Sequence, residues 1–236
     1  MTKRRLLLKI SGEVLKGESD SPFDPSICRQ VATAVRSLVD TGNQVAMVVG
    51  GGNFCRGVQA DQIGVERIST DYMGMLATMM NGLALKSFFK ECGLKVAVLS
   101  ALDCPKVVES YRYERIDQRL EENDVLLFVG GTGNPFFSTD TAAALRASEI
   151  HADFLLKATK VDGVYDKDPM KDPTAKRFDS LSFKQVIEKE LKVMDQTAFT
   201  LCQESEIPII VFNMDLLLSG EGSFEKIKAS GTHIGE

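Results

Sequence analysis

The strongest constraint in this sequence is a regular alternation. Short apolar runs and amphipathic stretches of helical period follow one another almost from end to end. Strands are predicted at 6–10, 44–49, 95–99, 125–129, 154–157, 209–212 and 232–234. Helices are predicted at 25–40, 70–91, 112–122, 139–150, 183–189 and 195–204, with a short one near 224–228. The strands at 44–49 and 125–129 are apolar at nearly every position, as strands are when both faces are covered. Asp24, Pro25 and Gly42 punctuate one helix as N-cap, first-turn proline and terminating glycine. Residues 161–176 carry Asp-Gly and Asp-Pro turn signals and read as a long loop or hairpin. Such a chain has few architectures open to it. The expectation is one α/β domain over residues 1–236, with helices on both faces of a parallel or mixed sheet. Two lobes are expected, with a break near residues 150–160.

Composition narrows the chemistry. Hydrophobic residues at 44% and charged residues at 26% are ordinary for a globular chain and exclude general disorder. A net charge of −5 suits non-specific coating of nucleic acid poorly, although it leaves room for local cationic patches. The chain has two histidines, His151 and His233, so a zinc site or a His-centred triad is disfavoured. Cys28, Cys55, Cys92, Cys104 and Cys202 form no Cys-x-x-Cys pair and read as free thiols of a reducing cytoplasm. The basic start leads into Leu6-Leu7-Leu8, which Lys9 stops at once, so no signal-peptide core forms. No apolar run nears the roughly 18 residues a membrane helix needs. A cytoplasmic, soluble protein is expected.

Ligands of open α/β folds bind beyond the C-terminal ends of the strands. Three segments rich in glycine or polar groups fall there: Lys9-Ile10-Ser11-Gly12, Gly50-Gly51-Gly52-Asn53, and residues 130–140. Glycines let backbone N–H groups approach an anion. The three segments together point to phosphate. The chain has no P-loop motif, and Gly131-x-Gly133-x-x-Phe136 fails the dinucleotide pattern at its last position. Lys9 reads either as a lysine snorkelling from a strand end or as an ammonium reaching a transferring phosphoryl group. Arg56 is a surface residue or a bidentate phosphate ligand. Asp71 and Asp140 sit at helix starts, where each is a dipole partner or a ligand. Thr132, Asn134, Ser138 and Thr139 offer hydroxyl and amide groups at one loop and helix N-terminus. In the 70–91 helix Met73, Met75, Leu76, Met79, Met80, Leu83 and Leu85 cover nearly the whole circumference. That is the pattern of a helix buried all round, as a core helix or at a subunit interface.

Several blocks taken together carry a resemblance. They are Lys9-Ile-Ser-Gly-Glu13, Gly50-Gly-Gly-Asn53 with Arg56-Gly57, Asp71-Tyr-Met-Gly-Met-Leu-Ala-Thr78, Gly131-Thr-Gly-Asn-Pro-Phe-Phe-Ser-Thr-Asp140 and Leu156-Lys-Ala-Thr-Lys-Val-Asp-Gly-Val164. Residues 188–195 and Val211-Phe-Asn213 extend it. In order and spacing they resemble the bacterial-type uridylate (UMP) kinases of the amino-acid kinase superfamily, over nearly the whole chain. The resemblance implies a three-layer α/β/α sandwich around a mainly parallel, twisted central sheet. It implies an acceptor (UMP) lobe over about 1–152 and an ATP lobe over about 153–236, and transfer of a phosphoryl group from ATP to UMP with Mg2+, in pyrimidine nucleotide biosynthesis.

The resemblance also implies roles for residues. Lys9, Asp140 and Lys157 would be catalytic, with Asp140 organising the lysines or the metal. Lys9, Ser11, Gly12, Gly52 and Arg56 would face the ATP phosphates, and Thr159, Tyr165 and Asp168 the adenosine. Gly51, Arg56, Asp71 and the segment Thr132, Gly133, Asn134, Pro135, Phe136, Phe137, Ser138 and Thr139 would hold UMP. No side chain is assigned as a metal ligand. The implied partners are ATP, UMP, UTP as an inhibitor, and further copies of the chain, assembled as an allosteric homohexamer. Members activated by GTP often carry a glycine-rich stretch after the first strand. This chain has Gly17-Glu-Ser-Asp-Ser-Pro-Phe23 there, which leaves GTP activation open. The alternatives are another phosphotransferase of the superfamily, acting on a carboxylate or carbamate, and a catalytically silent nucleotide sensor.

Overall fold

The computed structural model describes residues 3–54, 64–220 and 222–235. The strands are β1 (Arg5–Ile10), β2 (Gln44–Val49), β3 (Val96–Ser100), β4 (Glu109–Ser110), β5 (Val125–Val129), β6 (Phe154–Thr159), β7 (Val164–Tyr165), β8 (Arg177–Phe178), β9 (Ser180–Ser182), β10 (Ile209–Asn213) and β11 (Thr232–Gly235). The helices are α1 (Glu13–Lys16), α2 (Pro25–Asp40), α3 (Arg67–Glu91), α4 (Ile116–Glu122), α5 (Thr139–Glu149), α6 (Phe183–Glu188), α7 (Gln196–Glu204), α8 (Met214–Leu218) and α9 (Phe224–Ser230).

Among the described residues, nine strands form one sheet in the order β4-β3-β5-β2-β1-β6-β10-β11-β9. Its pairings are parallel except that of β10 with β11. β7 and β8 pair antiparallel, so the turn-rich segment predicted at 161–176 is a hairpin. The sheet runs unbroken across residues 150–160, because β1 pairs with β6.

Strand alternation divides the core into two layers. Leu6, Leu8, Ile10, Met47, Leu127 and Phe212 face α2, α3, α8 and α9. Leu7, Ala46, Leu126, Phe128 and Leu155 face α4 to α7. The result is the expected three-layer α/β/α sandwich with a mainly parallel sheet.

α2 starts as its sequence predicts, with the Asp24 carboxylate accepting from Ser26 N and Ile27 N. α3 starts at Arg67, one turn before the predicted start, so Asp71 lies beyond the opening turn. α3 is also not buried all round. Met75, Met79, Leu85 and Phe89 are buried, while Ile68, Tyr72, Leu76, Met80 and Leu83 form an exposed stripe on the opposite face. The all-apolar circumference therefore divides into a core face and an outward face. No described helix is long and apolar enough to cross a membrane. Cys28, Cys92, Cys104 and Cys202 are free.

Candidate active site

The candidate site residues gather at one row of strand ends. β5, β2, β1, β6 and β10 are contiguous and parallel, so the segments leaving their C-terminal ends lie side by side. Lys9 on β1 is in register with Lys157 on β6. Leu7 and Leu155, two residues before each lysine, face the layer that contains α5. Period-two alternation therefore sends both ammonium groups to that same face.

α5 begins directly above them. The Ser138 hydroxyl caps it, accepting from Asp140 N at 2.9 Å and Thr141 N at 3.1 Å. Asp140 is thus presented in the first helical turn. One carboxylate oxygen lies 2.7 Å from Lys9 Nζ and the other 2.6 Å from Lys157 Nζ. Lys157 Nζ also donates to Val193 O at 2.5 Å. The arrangement is a shielded cation–anion–cation cluster with net positive charge, aimed at the loop ends.

Burial and charge act on these groups in opposition. Burial pushes the Asp140 carboxyl up, and Lys9 and then Lys157 outweigh it, leaving it below its ordinary 3.8. Lys157 lies below its ordinary 10.5, first because it is buried and then because Lys9 stands beside it, against the pull of Asp140. A carboxylate depressed on folding stabilises the fold above its ordinary value and loses that contribution as pH falls through its lower folded value. Thermal melts from about pH 5 to about pH 2 are expected to show wild type losing more stability than Asp140→Asn. Equal losses would show that the carboxylate is not held by the lysines.

The glycine loops pack against one another closely. A Cβ on Gly12 would lie 2.2 Å from Gly50 O, so only glycine lets the first loop rest on the second. Thr139 Oγ1 lies against Gly50 in turn. Two cavities open at these strand ends, and Lys157 lines the second of them. One, of about 900 Å³, is lined by Ser11, Gly52, Asn53, Thr159 and Asn213 among others. The other, of about 640 Å³, is lined by Lys157, Thr159, Tyr165, Asp168 and Val193 among others. They share Thr159 at the end of β6. Within the β7–β8 hairpin, the Tyr165 hydroxyl donates to Asp162 at 2.6 Å and Asp168 accepts from Met170 N at 3.0 Å.

On the other side lies the segment after β5. Gly130, Gly131 and Gly133 all have positive φ. Phe136 shares that region at φ 72°, a strained setting for a bulky residue, and is exposed with Phe137. Phe136 N donates to Asp71 at 2.7 Å, and Arg67 Nε contacts the same carboxylate at 2.9 Å. Asp71 therefore joins α3 to this segment. Its place past the first turn removes most of the helix-dipole explanation for it. Thr132 and Asn134 form a local turn, with Asn134 N donating to Thr132 Oγ1 at 3.2 Å. Pro135 lies between Asn134 and the strained Phe136.

The structure thus gathers Lys9, Ser11, Gly12, Gly51, Gly52, Asp71, residues 132–140, Lys157 and Thr159 at the strand ends, with Tyr165 and Asp168 on the adjoining hairpin. Arg56 lies outside the described residues. Three residues with no role read from the sequence also belong here. Asp195 receives the Ser138 hydroxyl, accepts from Thr141 Oγ1 at 2.9 Å, and caps α7 through Ala198 N at 2.9 Å. Its place just before a helix is a legible cap signal. Thr78 accepts from Gly130 N at 2.7 Å, and Asn81 is fully buried against residues 50–53. Their signal is polarity within an apolar helix.

The sandwich, with two lysines, one carboxylate and glycine loops at the same strand ends and no P-loop, defines a kinase of the amino acid kinase type. Residues 4–213 match the model of that family, described as the amino acid kinase family. A uridylate kinase of Protochlamydia amoebophila (strain UWE25) is 50% identical over 214 residues, covering 91% of this chain and 85% of the relative. One from Magnetococcus marinus is 50% identical over 211 residues, covering 89% and 88%. The crystal structure of UMP kinase from Ureaplasma parvum superposes with a TM-score of 0.94 at 36% identity, over 100% of both chains. The chain belongs to the amino acid kinase family and, within it, to the uridylate kinases.

Proposed function

We propose that this chain transfers the γ-phosphoryl group of ATP to UMP, giving UDP and ADP. The observation that carries the reading is the Lys9–Asp140–Lys157 cluster, set between glycine loops on one side and the Asp71-anchored segment on the other. Phosphoryl transfer asks a protein to align donor and acceptor and to neutralise spread negative charge. The UMP phosphate, largely ionised at neutral pH, is itself the nucleophile, so no histidine base is required. Lys9 and Lys157 stabilise charge on the transferring group, and Asp140 holds both ammonium groups in place.

In this reading Ser11, Gly12 and Gly52 face the ATP phosphates, with Arg56 as a further phosphate ligand. Thr159, Tyr165 and Asp168 line the adenosine cavity. Gly51, Asp71 and residues 132–139 hold UMP. Residues 1–152 form the acceptor lobe and 153–236 the ATP lobe. Mg2+ enters as part of the MgATP substrate. Both oxygens of Asp140 face lysines, and the described residues hold no carboxylate cluster suited to a separate ion.

The exposed stripe of Ile68, Tyr72, Leu76, Met80 and Leu83 supports assembly with further copies of the chain, and the hexamer is the assembly that the resemblance implies. UTP shares the uridine of the acceptor and is the proposed inhibitor. A cytoplasmic place in pyrimidine nucleotide synthesis follows from the same reading.

The decisive experiment is a coupled assay of ADP release with UMP, CMP and dUMP, repeated with GTP and UTP present. UMP-dependent turnover is the expected result. Turnover with acetylglutamate, glutamate, aspartate or carbamate but not UMP would overturn the reading, as would tight UTP binding with no turnover. Asp71→Asn is expected to raise KM for UMP by about tenfold with a smaller change in kcat, if the carboxylate binds the ribose hydroxyls. An unchanged KM would confine Asp71 to its contacts with Arg67 and Phe136.

A further inference from the structure

α3 makes polar contacts with the site through a single stripe. Asp71, Gly74, Thr78 and Asn81 recur at helical spacing on the face opposite the exposed apolar residues. Asp71 takes Phe136 N, Thr78 takes Gly130 N, and the carbonyl of Gly74 lies where a Cβ on Gly51 would come within 2.6 Å. Asn81 makes the fullest set of contacts. It is completely buried, in mid-helix, where asparagine is a poor helix former. Its Nδ2 donates to Gly50 O at 2.7 Å and to Asn53 Oδ1 at 2.8 Å, and its Oδ1 accepts from Asn53 Nδ2 at 2.8 Å. Asn53 Nδ2 also donates to Pro22 O at 2.9 Å.

All four amide hydrogens of the two asparagines are therefore used. The two atoms that Asn81 holds, Gly50 O and Asn53 Oδ1, are the same two against which Gly12 packs, at 2.2 and 2.8 Å from its absent Cβ. The contacts run without a break from Asn81 through residues 50–53 to the Ser11-Gly12 loop.

We propose that Asn81 is a positioning residue for the donor nucleotide. It touches no reacting atom, and it fixes Gly50 and Asn53 against Gly12 so that Gly52 and the Ser11-Gly12 loop present a preformed cradle to the ATP phosphates. The inference rests on the reading of these loops as the ATP-phosphate site. A leucine or alanine in its place would take the side-chain donors from Gly50 O and Asn53 Oδ1 and leave the Asn53 amide only its contact with Pro22 O. An aspartate would keep the shape and the acceptor but lose both donors and face Gly50 O with a negative charge.

The test is steady-state kinetics of the full-length Asn81→Asp variant with both substrates, alongside ADP binding by calorimetry and a thermal melt. The expected result is a KM for MgATP raised roughly tenfold, a matching loss of ADP affinity, and a KM for UMP within about twofold of wild type. A role in stability alone would lower the active fraction and leave both KM values unchanged, and that outcome overturns the proposal. So would a rise in KM for UMP equal to that for MgATP. If Asn81→Asp does not fold, Asn53→Ala removes the partner amide from a half-buried position and is read by the same criteria. Wild-type enzyme without UMP turnover would refute the functional reading instead, and the ADP titration then tests the cradle independently.

Discussion

Lys9→Ala is expected to lower kcat by a factor of about 10² or more while the protein stays folded, the size of effect seen when one preorganised donor to a developing oxyanion is removed. The lysine interrupts a strand whose neighbours Leu8 and Ile10 are fully buried, and its own side chain is only 13% exposed. A lysine in such a place serves charge more than packing. Its loss leaves Asp140 with Lys157, so the remaining ion pair is intact and the cluster becomes neutral overall. The effect should therefore appear in kcat more than in Tm. Activity within a few-fold of wild type would return Lys9 to the role of a lysine snorkelling from a strand end.

Asp140→Asn is expected to be the more damaging change, because it acts on activity and stability together. The carboxylate stands between two ammonium groups on adjacent strands, and removing it leaves like charges side by side in a shielded place. Breaking a buried pair in this way costs about 3 kcal/mol or more. The pH dependence gives a signature. Burial and the neighbouring Lys9 already hold Lys157 below its ordinary 10.5, and loss of the anion lowers it further. Between the folded and unfolded values the unfolded chain binds more protons, so stability rises with pH across that window. The stability deficit of Asp140→Asn, measured by denaturant melts, should therefore shrink between about pH 7 and about pH 10. A deficit independent of pH would mean that the lysines do not repel one another once the carboxylate is gone. kcat is expected to fall by at least as much as in Lys9→Ala.

Most of the scaffold could be read from the sequence because its elements are locally determined. The strands β2 and β5 announce themselves as unbroken apolar runs, and α2 by the Asp24 cap and Pro25. The phosphate-type loops were legible from glycine placement, and their convergence was confirmed by the sheet order. The rest depended on tertiary context. Methionines and leucines around α3 indicate apolar contact on all sides. They do not say which side is met by this chain's own sheet. Asn81 and Thr78 are ordinary letters until the loops they hold are seen beside them. Asp195 shows itself as a helix cap, while its grip on Ser138 and Thr141 joins residues more than 50 positions apart. The short elements β4, β9, α1 and α8 carry too few residues to show a period.

The register of Lys9 with Lys157 has one further consequence. Their backbones are neighbours in a parallel ladder, so their separation is inherited from the repeat of the sheet itself, about 4.8 Å. The sheet thus fixes where the two lysine backbones stand, while each ammonium, on its flexible stem, is placed by one of the two oxygens of Asp140. In the proposed reaction, the centre that gathers phosphoryl charge is therefore rooted in the rigid middle of the sheet, and a single carboxylate sets the span between its two cations.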